Sequence, residues 1–208
     1  VSDDLAAHLE PQTVVIDFSS PDALMAALPV LESRDCALVT GTTGLDAAQA
    51  ERLDAASQRI PVLRSDNFSV GVALMRALAQ RAAEVLGEQA DIEIIEAHHR
   101  RKVDAPSGTA LAVGRSVAQG LGVELDSVAD WTRHGQVGPR GDGRVGFSVI
   151  RGGDIVGEHT ALFAMAGERL EITHKATDRM IFARGAVRAA GWLASQDAGL
   201  YALEDLLG

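Results

Sequence analysis

Residues 13–44 read TVVIDFSSPDALMAALPVLESRDCALVTGTTG, a strand–helix–strand pattern. Thr13, Val14, Val15, Ile16, Asp17 and Phe18 form a β-branched, apolar run that predicts a buried strand. Ser19-Ser20-Pro21 follows, a capping residue and then a proline, which opens a helix. Small apolar residues carry that helix over 22–32. Ala37, Leu38, Val39 and Thr40 predict the next strand, which runs into Gly41-Thr42-Thr43-Gly44. A second helix is expected at 46–58 and a third strand at 61–63. Strands alternating with helices of this length pair in parallel through right-handed crossovers.

Further along the pattern changes. Residues 70–86 have apolar positions at helical spacing, and 91–97 (DIEIIEA) predict a strand. A polar loop follows, then a helix over 109–121. From 146 the chain reads GFSVIRGG, DIVGEHTALFAMAG and ERLEITHKA. Its Gly-Gly and Ala-Gly punctuation predicts successive antiparallel strands. GQVGPRGDG at 135–143 is the most loop-like stretch. A last helix is expected at 178–194, returning to the first half, followed by a short tail. The expected fold class is α/β: a Rossmann-like nucleotide-binding domain of residues 1–69 and 179–208, and an α+β substrate domain of residues 70–178 with a mixed open sheet.

Bulk composition narrows the function. The 208 residues are 47% hydrophobic but only 4% aromatic, so the core rests on aliphatic side chains. A net charge of −10 argues against nucleic acid or an anionic membrane as partner. With Cys36 as the single cysteine, an intrachain disulfide and a Cys-based metal site are both excluded, and a reducing cytoplasm is the expected compartment. No apolar run approaches the ~18 residues of a membrane span. The opening VSDDLAAHLEPQ is neither a signal nor a basic transit peptide.

Against that acidic background, residues 96–109, EAHHRRKVDAPSGT, stand out. His98, His99, Arg100, Arg101 and Lys102 are consecutive. A charged run is ordinarily a solvated loop. This one directly follows a predicted buried strand, whose carboxyl end is where α/β proteins build sites. It is followed by Ser107-Gly108-Thr109 at a helix start, where free N–H groups bind anions. Cations beside a helix N-terminus suit a small substrate bearing carboxylates, and a histidine there can serve as acid or base. A metal is not expected, because adjacent histidines rarely reach one ion and no HExxH spacing exists. Gly41-Thr42-Thr43-Gly44 and Asn67-Phe68-Ser69-Val70-Gly71 each join a strand to a helix; either is an ordinary turn or cap, or a nucleotide-lining loop. His159, His174 and Lys175 fall in predicted strands, where a histidine is more often structural. His8 and His134 read as surface residues.

EAHHRRKVDAPSGTA resembles the signature of the bacterial 4-hydroxy-tetrahydrodipicolinate (dihydrodipicolinate) reductases. VVIDFSSPDAL, LVTGTTGL, NFSVGVALM, GEHTALFA and GERLEITHKATDRMIFARGAVRAAGWL resemble further family segments in family order. The resemblance implies reduction of a cyclic, imine-type dicarboxylate by NADH or NADPH on the route to diaminopimelate and lysine. It implies His98 as proton donor and acceptor and Lys102 as second proton donor. It places His99, Ser107, Gly108 and Thr109 at the substrate, and Gly41, Thr42, Thr43, Ser65, Asp66, Asn67 and Phe68 at the cofactor. Hydride delivery would leave an enamine-like anion, to be met by a proton or cation from Lys102 and His98. It also implies a homotetramer built through the substrate domain's sheet; the apolar strand 156–166 would suit such an interface, and an intramolecular core explains it equally well.

Two departures carry consequences. The family opens with a strand, a GxxGxxG-type turn and a helix, and no such motif occurs here; the resemblance therefore implies a segment preceding Val1. Asp66 stands where the family has Ala or Pro, placing a carboxylate in a cofactor loop. The competing expectations are a non-catalytic fragment that binds dicarboxylates or assembles without turnover, and a reductase of another cyclic imine.

Overall fold

The computed structural model describes residues 5–208. The chain forms two compact units, Val1–Val70 with Met180–Gly208, and Gly71–Arg179. In the first unit, β1 (Val14–Asp17), β2 (Ala37–Thr40) and β3 (Pro61–Arg64) pair in parallel, with Val15 opposite Leu38 and Val39 opposite Leu63. Helix α1 (Pro21–Ser33) starts where the Ser20 hydroxyl accepts the Ala23 N–H, with Pro21 in its first turn. It buries Leu24, Leu28 and Leu31, one stripe at helical spacing. Helix α2 (Ala47–Ser57) begins in a capping box: Asp46 accepts the Gln49 N–H at 2.8 Å and the Gln49 side chain accepts the Asp46 N–H at 3.0 Å. Both helices share one core with Leu38, Val62, Cys36 and Ile60. Because strand side chains alternate, Val39 and Leu63 face the other side of the sheet.

The second unit opens with α3 (Val70–Leu86) and β4 (Asp91–His98). It continues through α4 (Gly108–Gly120), the single turn α5 (Leu125–Val128), β5 (Ala129–Asp130), β6 (Val145–Arg151), β7 (Gly157–Met165) and β8 (Glu168–Ala176). The sheet order is β5-β6-β4-β7-β8. Met75, Ala79 and Ala83 of α3 and Val113 and Val117 of α4 pack on Ile92, Ile94, Phe147, Ala161 and Phe163. The expectation of successive antiparallel strands holds for β7 and β8 but not for β6. β6 runs parallel to β4, and β4 lies between β6 and β7, antiparallel to β7. The misleading signal was Gly152-Gly153, which is no hairpin turn. It carries the chain over the end of β4, where the Gly152 N–H bonds the His98 carbonyl at 2.9 Å and the Arg100 N–H bonds the Gly153 carbonyl at 3.2 Å.

The chain then returns to the first unit as α6 (Met180–Leu193), which packs on β1, β2 and β3 and buries Gly185, Ala186, Ala189 and Leu193. The expected tail is not a tail: β9 (Gly199–Tyr201) extends the first sheet, parallel to β3, with Leu200 opposite Val62. A three-residue strand is too short to give a periodic signal; Tyr201 seats it edge-on to Trp192 of α6, ring centroids 5.3 Å apart. Short 3-10 turns at Ala6–His8, Gly87–Gln89 and Leu203–Leu207 also went unread in the sequence. Among the described residues no helix is long and apolar enough to cross a membrane.

Candidate active site

The site grows out of β4. Alternation puts Ile92, Ile94, Glu96 and His98 on one face. The first two belong to the core, and the last two turn that same buried face polar: Glu96 is 1% exposed and His98 8%. A carboxylate so placed needs partners. Its Oε2 lies 2.6 Å from Nδ1 of His98, and its Oε1 accepts the Ser107 N–H at 2.9 Å. Arg151, opposite His98 on β6, donates both arms of its guanidinium, Nη1 to Oε2 at 2.8 Å and Nη2 to Oε1 at 2.7 Å. Nη2 also bonds the Asp104 carbonyl, anchoring the following loop. Burial pushes the Glu96 carboxyl up, but Arg151, His98 and the Ser107 N–H outweigh it and hold it below the usual carboxylate range.

From β7, His159 stands opposite Glu96 and packs edge-on to His98, centroids 5.1 Å apart. Its Nε2 lies 3.0 Å from the Ser107 hydroxyl, which also caps α4 by accepting the Ala110 N–H. Burial, then the field of His98, pushes the His159 imidazole down from 6.5 to about 4. A base with a depressed folded-state pKa favours the folded chain only while it stays neutral. Stability should therefore be full above about pH 6.5 and fall as pH drops toward 4, by on the order of 3 kcal/mol. Urea unfolding at pH 7.5 and 5 tests this. His159→Gln should flatten that slope, and an unchanged slope would remove His159 as its source.

The loop after β4 carries the remaining candidates. Lys102 is partly buried and pairs with Asp104 at 2.9 Å, whereas Arg100 and Arg101 are exposed. His99 is half-buried; its Nε2 lies 3.5 Å from Nη2 of Arg179, and its Nδ1 is buried without a partner. Gly108 and Thr109 form the first turn of α4, and open space surrounds the Gly108 Cα on its side-chain side, so a ligand can approach the helix N–H groups closely. Ser107, by contrast, is 2% exposed with its hydroxyl engaged. A separate concavity of about 800 Å³ near the far end of α4, lined by Leu111, Arg115, Gln119, Glu124 and Trp131, contains none of the candidate residues.

In the first unit the candidate cofactor loops sit at the carboxyl ends of parallel strands, where nucleotides bind in such sheets. Asp17 ends β1 and holds the loop that follows β2: its Oδ2 accepts the hydroxyls of Thr40 (2.8 Å) and Thr42 (2.6 Å), and its Oδ1 accepts the Ser19 N–H at 3.2 Å. Burial raises the Asp17 carboxyl, but these donors together hold it below its ordinary value. Gly41 follows β2 under the ring of Phe18, which a Cβ at 41 would strike. Thr43 is exposed beside it. After β3, the Ser65 hydroxyl donates to the Asn67 carbonyl at 2.8 Å, and the Asn67 side chain caps the Ser69 N–H at 2.8 Å. Phe68 is buried edge-on against Phe18, which is 55% exposed. Asp66 is exposed. An exposed aromatic face beside a glycine-threonine turn fits a flat nicotinamide or adenine ring.

Sequence reasoning therefore brought together His98, Ser107, Gly108 and Thr109, with Lys102 and His99 on the same loop. It missed Glu96 as a partner, Arg151, His159, Asp17 and Phe18. The β4 alternation offered a signal for Glu96. Arg151 and His159 depend on strand register, which no local pattern carries. Among the described residues, no group of three or more His, Cys, Asp or Glu side chains is arranged to hold a metal.

A parallel sheet with loops at its strand ends, followed by a mixed sheet bearing a buried Glu–His cluster, is the two-unit α/β architecture of the class of nucleotide-binding folds. The family model for the dihydrodipicolinate reductase N-terminus matches residues 1–68, and that for the C-terminus matches residues 71–207. The sequence division assigns α6 to the second part, whereas its packing places it in the first unit. A 4-hydroxy-tetrahydrodipicolinate reductase of Alkalilimnicola ehrlichii is 54% identical over 208 residues, covering 100% of this chain and 78% of that protein. The solved dipicolinate-bound dihydrodipicolinate reductase from Paenisporosarcina sp. TG-14 shares the fold, with a TM-score of 0.76 at 24% identity over 92% of this chain and 72% of that one. The chain belongs to the dihydrodipicolinate reductase family.

Proposed function

We propose that the chain reduces 4-hydroxy-tetrahydrodipicolinate to tetrahydrodipicolinate with NADH or NADPH, in diaminopimelate and lysine biosynthesis. The observation that carries this reading is the buried Glu96–His98 pair at the end of β4, with Lys102 on the next loop and the α4 N-terminus behind it. The cofactor supplies the hydride. Because the substrate's hydroxyl leaves as water, a proton must be supplied as well, and the residues for it are His98 and Lys102. His99, Gly108 and Thr109 receive the two carboxylates, while Ser107 holds the helix start from beneath. Gly41, Thr42, Thr43, Ser65, Asp66, Asn67 and Phe68 line the nicotinamide cofactor, which assigns the first unit to the nucleotide and the second to the substrate. The enzyme acts in the cytoplasm.

The test follows loss of reduced-nicotinamide absorbance with the substrate generated in situ, and competition by pyridine-2,6-dicarboxylate. Turnover inhibited by that planar dicarboxylate is the expected result. No turnover with either cofactor, and no binding of the dicarboxylate, would overturn the reading. The face of the second sheet opposite α3 and α4 carries Ile95, Ile150 and Leu162 beside a Thr160–Thr173 hydroxyl pair at 2.9 Å. We assign this face to a homotetramer interface. Sedimentation equilibrium should give four times the 21.8 kDa chain mass, and a monomer would refute it.

A further inference from the structure

Both oxygens of Glu96 are fully subscribed. Oε2 faces His98 Nδ1 and Arg151 Nη1; Oε1 faces the Ser107 N–H and Arg151 Nη2. A guanidinium and a backbone amide are obligate donors. Each oxygen must therefore accept, and Glu96 has no proton to offer the ring. The contact at His98 is then possible in one sense only, with Nδ1–H donating. A neutral His98 keeps its lone pair on Nε2, on the side of the ring away from Glu96. That side is kept open by a glycine: a Cβ at Gly157, directly across the strand pair, would lie 3.0 Å from Nε2. The other groups around the ring do not compete for Nδ1. His159 presents its edge from β7 and spends Nε2 on Ser107, His174 lies one strand further on β8, and Lys102 is paired with Asp104. The same carboxylate reaches α4 through the Ser107 N–H, so one side chain registers the acid–base ring against the helix start.

We propose that Glu96, clamped by Arg151, is the positioning residue of this site: it fixes His98 as the Nδ1–H tautomer, leaves Nε2 alone to exchange the proton, and sets the α4 N-terminus at a constant distance from that ring. The role of His98 in turnover rests on the reading given under Proposed function; its tautomer does not.

Glu96→Gln keeps the shape but replaces one acceptor by a donor. The new amide N–H opposes one Arg151 arm in either orientation, and it faces either His98 Nδ1, which forces the Nε2–H tautomer, or the Ser107 N–H, where donors meet donors. In full-length protein labelled with 15N-histidine, the wild type should show the protonated-type nitrogen at Nδ1 of neutral His98, and Glu96→Gln should move it to Nε2 or mix the two. Turnover in Glu96→Gln should fall about 100-fold or more, as for a wrongly set catalytic histidine, with a smaller change in KM. Arg151→Lys keeps the charge and loses the fork; it should retain the Nδ1–H tautomer and lose about tenfold in kcat. A wild-type ring carrying Nε2–H would overturn the proposal, even if Glu96→Gln does not fold. So would a Glu96→Gln protein that loses turnover with its tautomer unchanged, since that is a purely structural effect. A wild type with the Nδ1–H ring and no turnover would instead refute the assigned reaction.

Discussion

Replacing His98 with Gln should lower kcat by about a hundredfold to ten-thousandfold, the range lost with a positioned acid or base. The substitution suits the test because the network has a use for it. The introduced side-chain amide can still donate to Glu96 Oε2, so the buried carboxylate keeps its partners and the fold should survive. What disappears is a ring able to hold and release a proton. Lys102→Ala should cost a similar order in kcat. Its ion pair with a half-exposed Asp104 contributes little to stability, so the unfolding midpoint should barely move. Lys102→Arg separates two roles for this residue. Arginine retains the positive charge but holds its proton too tightly to give it up. Rescue by arginine would make Lys102 an electrostatic partner only; failure to rescue would make it a proton donor. Near-wild-type kcat in both His98→Gln and Lys102→Ala would end the assignment of either to the chemistry.

These variants act on residues legible in the sequence, and the reason is local. His98, Lys102, Ser107 and Gly108 lie in one segment between a strand and a helix, so their proximity follows from chain connectivity. The βαβ pattern of the first unit was legible for the same reason: α1 is announced by Ser20-Pro21 and β2 by an apolar run of its own. What stayed hidden depends on register between distant segments. Arg151 reaches Glu96 only because β6 pairs with β4 rather than with β7, and a Gly-Gly link hid that crossover. His159 reads as an ordinary strand histidine until β7 is laid antiparallel to β4. β9 is hidden differently, since three residues cannot display a period of two convincingly.

Gly185→Ala should unfold the first unit more readily than any propensity argument allows. Alanine is favoured over glycine within a helix by about 1 kcal/mol, so α6 alone would gain from the change. The neighbour decides otherwise. A Cβ at 185 would lie 1.7 Å from the Phe68 carbonyl oxygen and 2.9 Å from its carbon, both backbone atoms that cannot swing aside. Either α6 lifts from β1, β2 and β3, or the loop bearing Phe68 moves. The first uncovers surface such as Val39 and Leu63, both 0% exposed; the second breaks the Phe18–Phe68 contact. Overpacking of this kind costs about 3 kcal/mol. Gly191 supplies the control on the same helix, because nothing lies within 4 Å of its added Cβ. Gly191→Ala should therefore stabilise by about 0.5–1 kcal/mol. Urea titrations of the two variants should move in opposite directions from wild type. Since Phe68 lies in a proposed cofactor loop, Gly185→Ala should also raise KM for the nicotinamide cofactor more than for the dicarboxylate. If the two alanine variants are equally stable, α6 does not sit against that loop, and the packing that returns the end of the chain to the first unit is wrong.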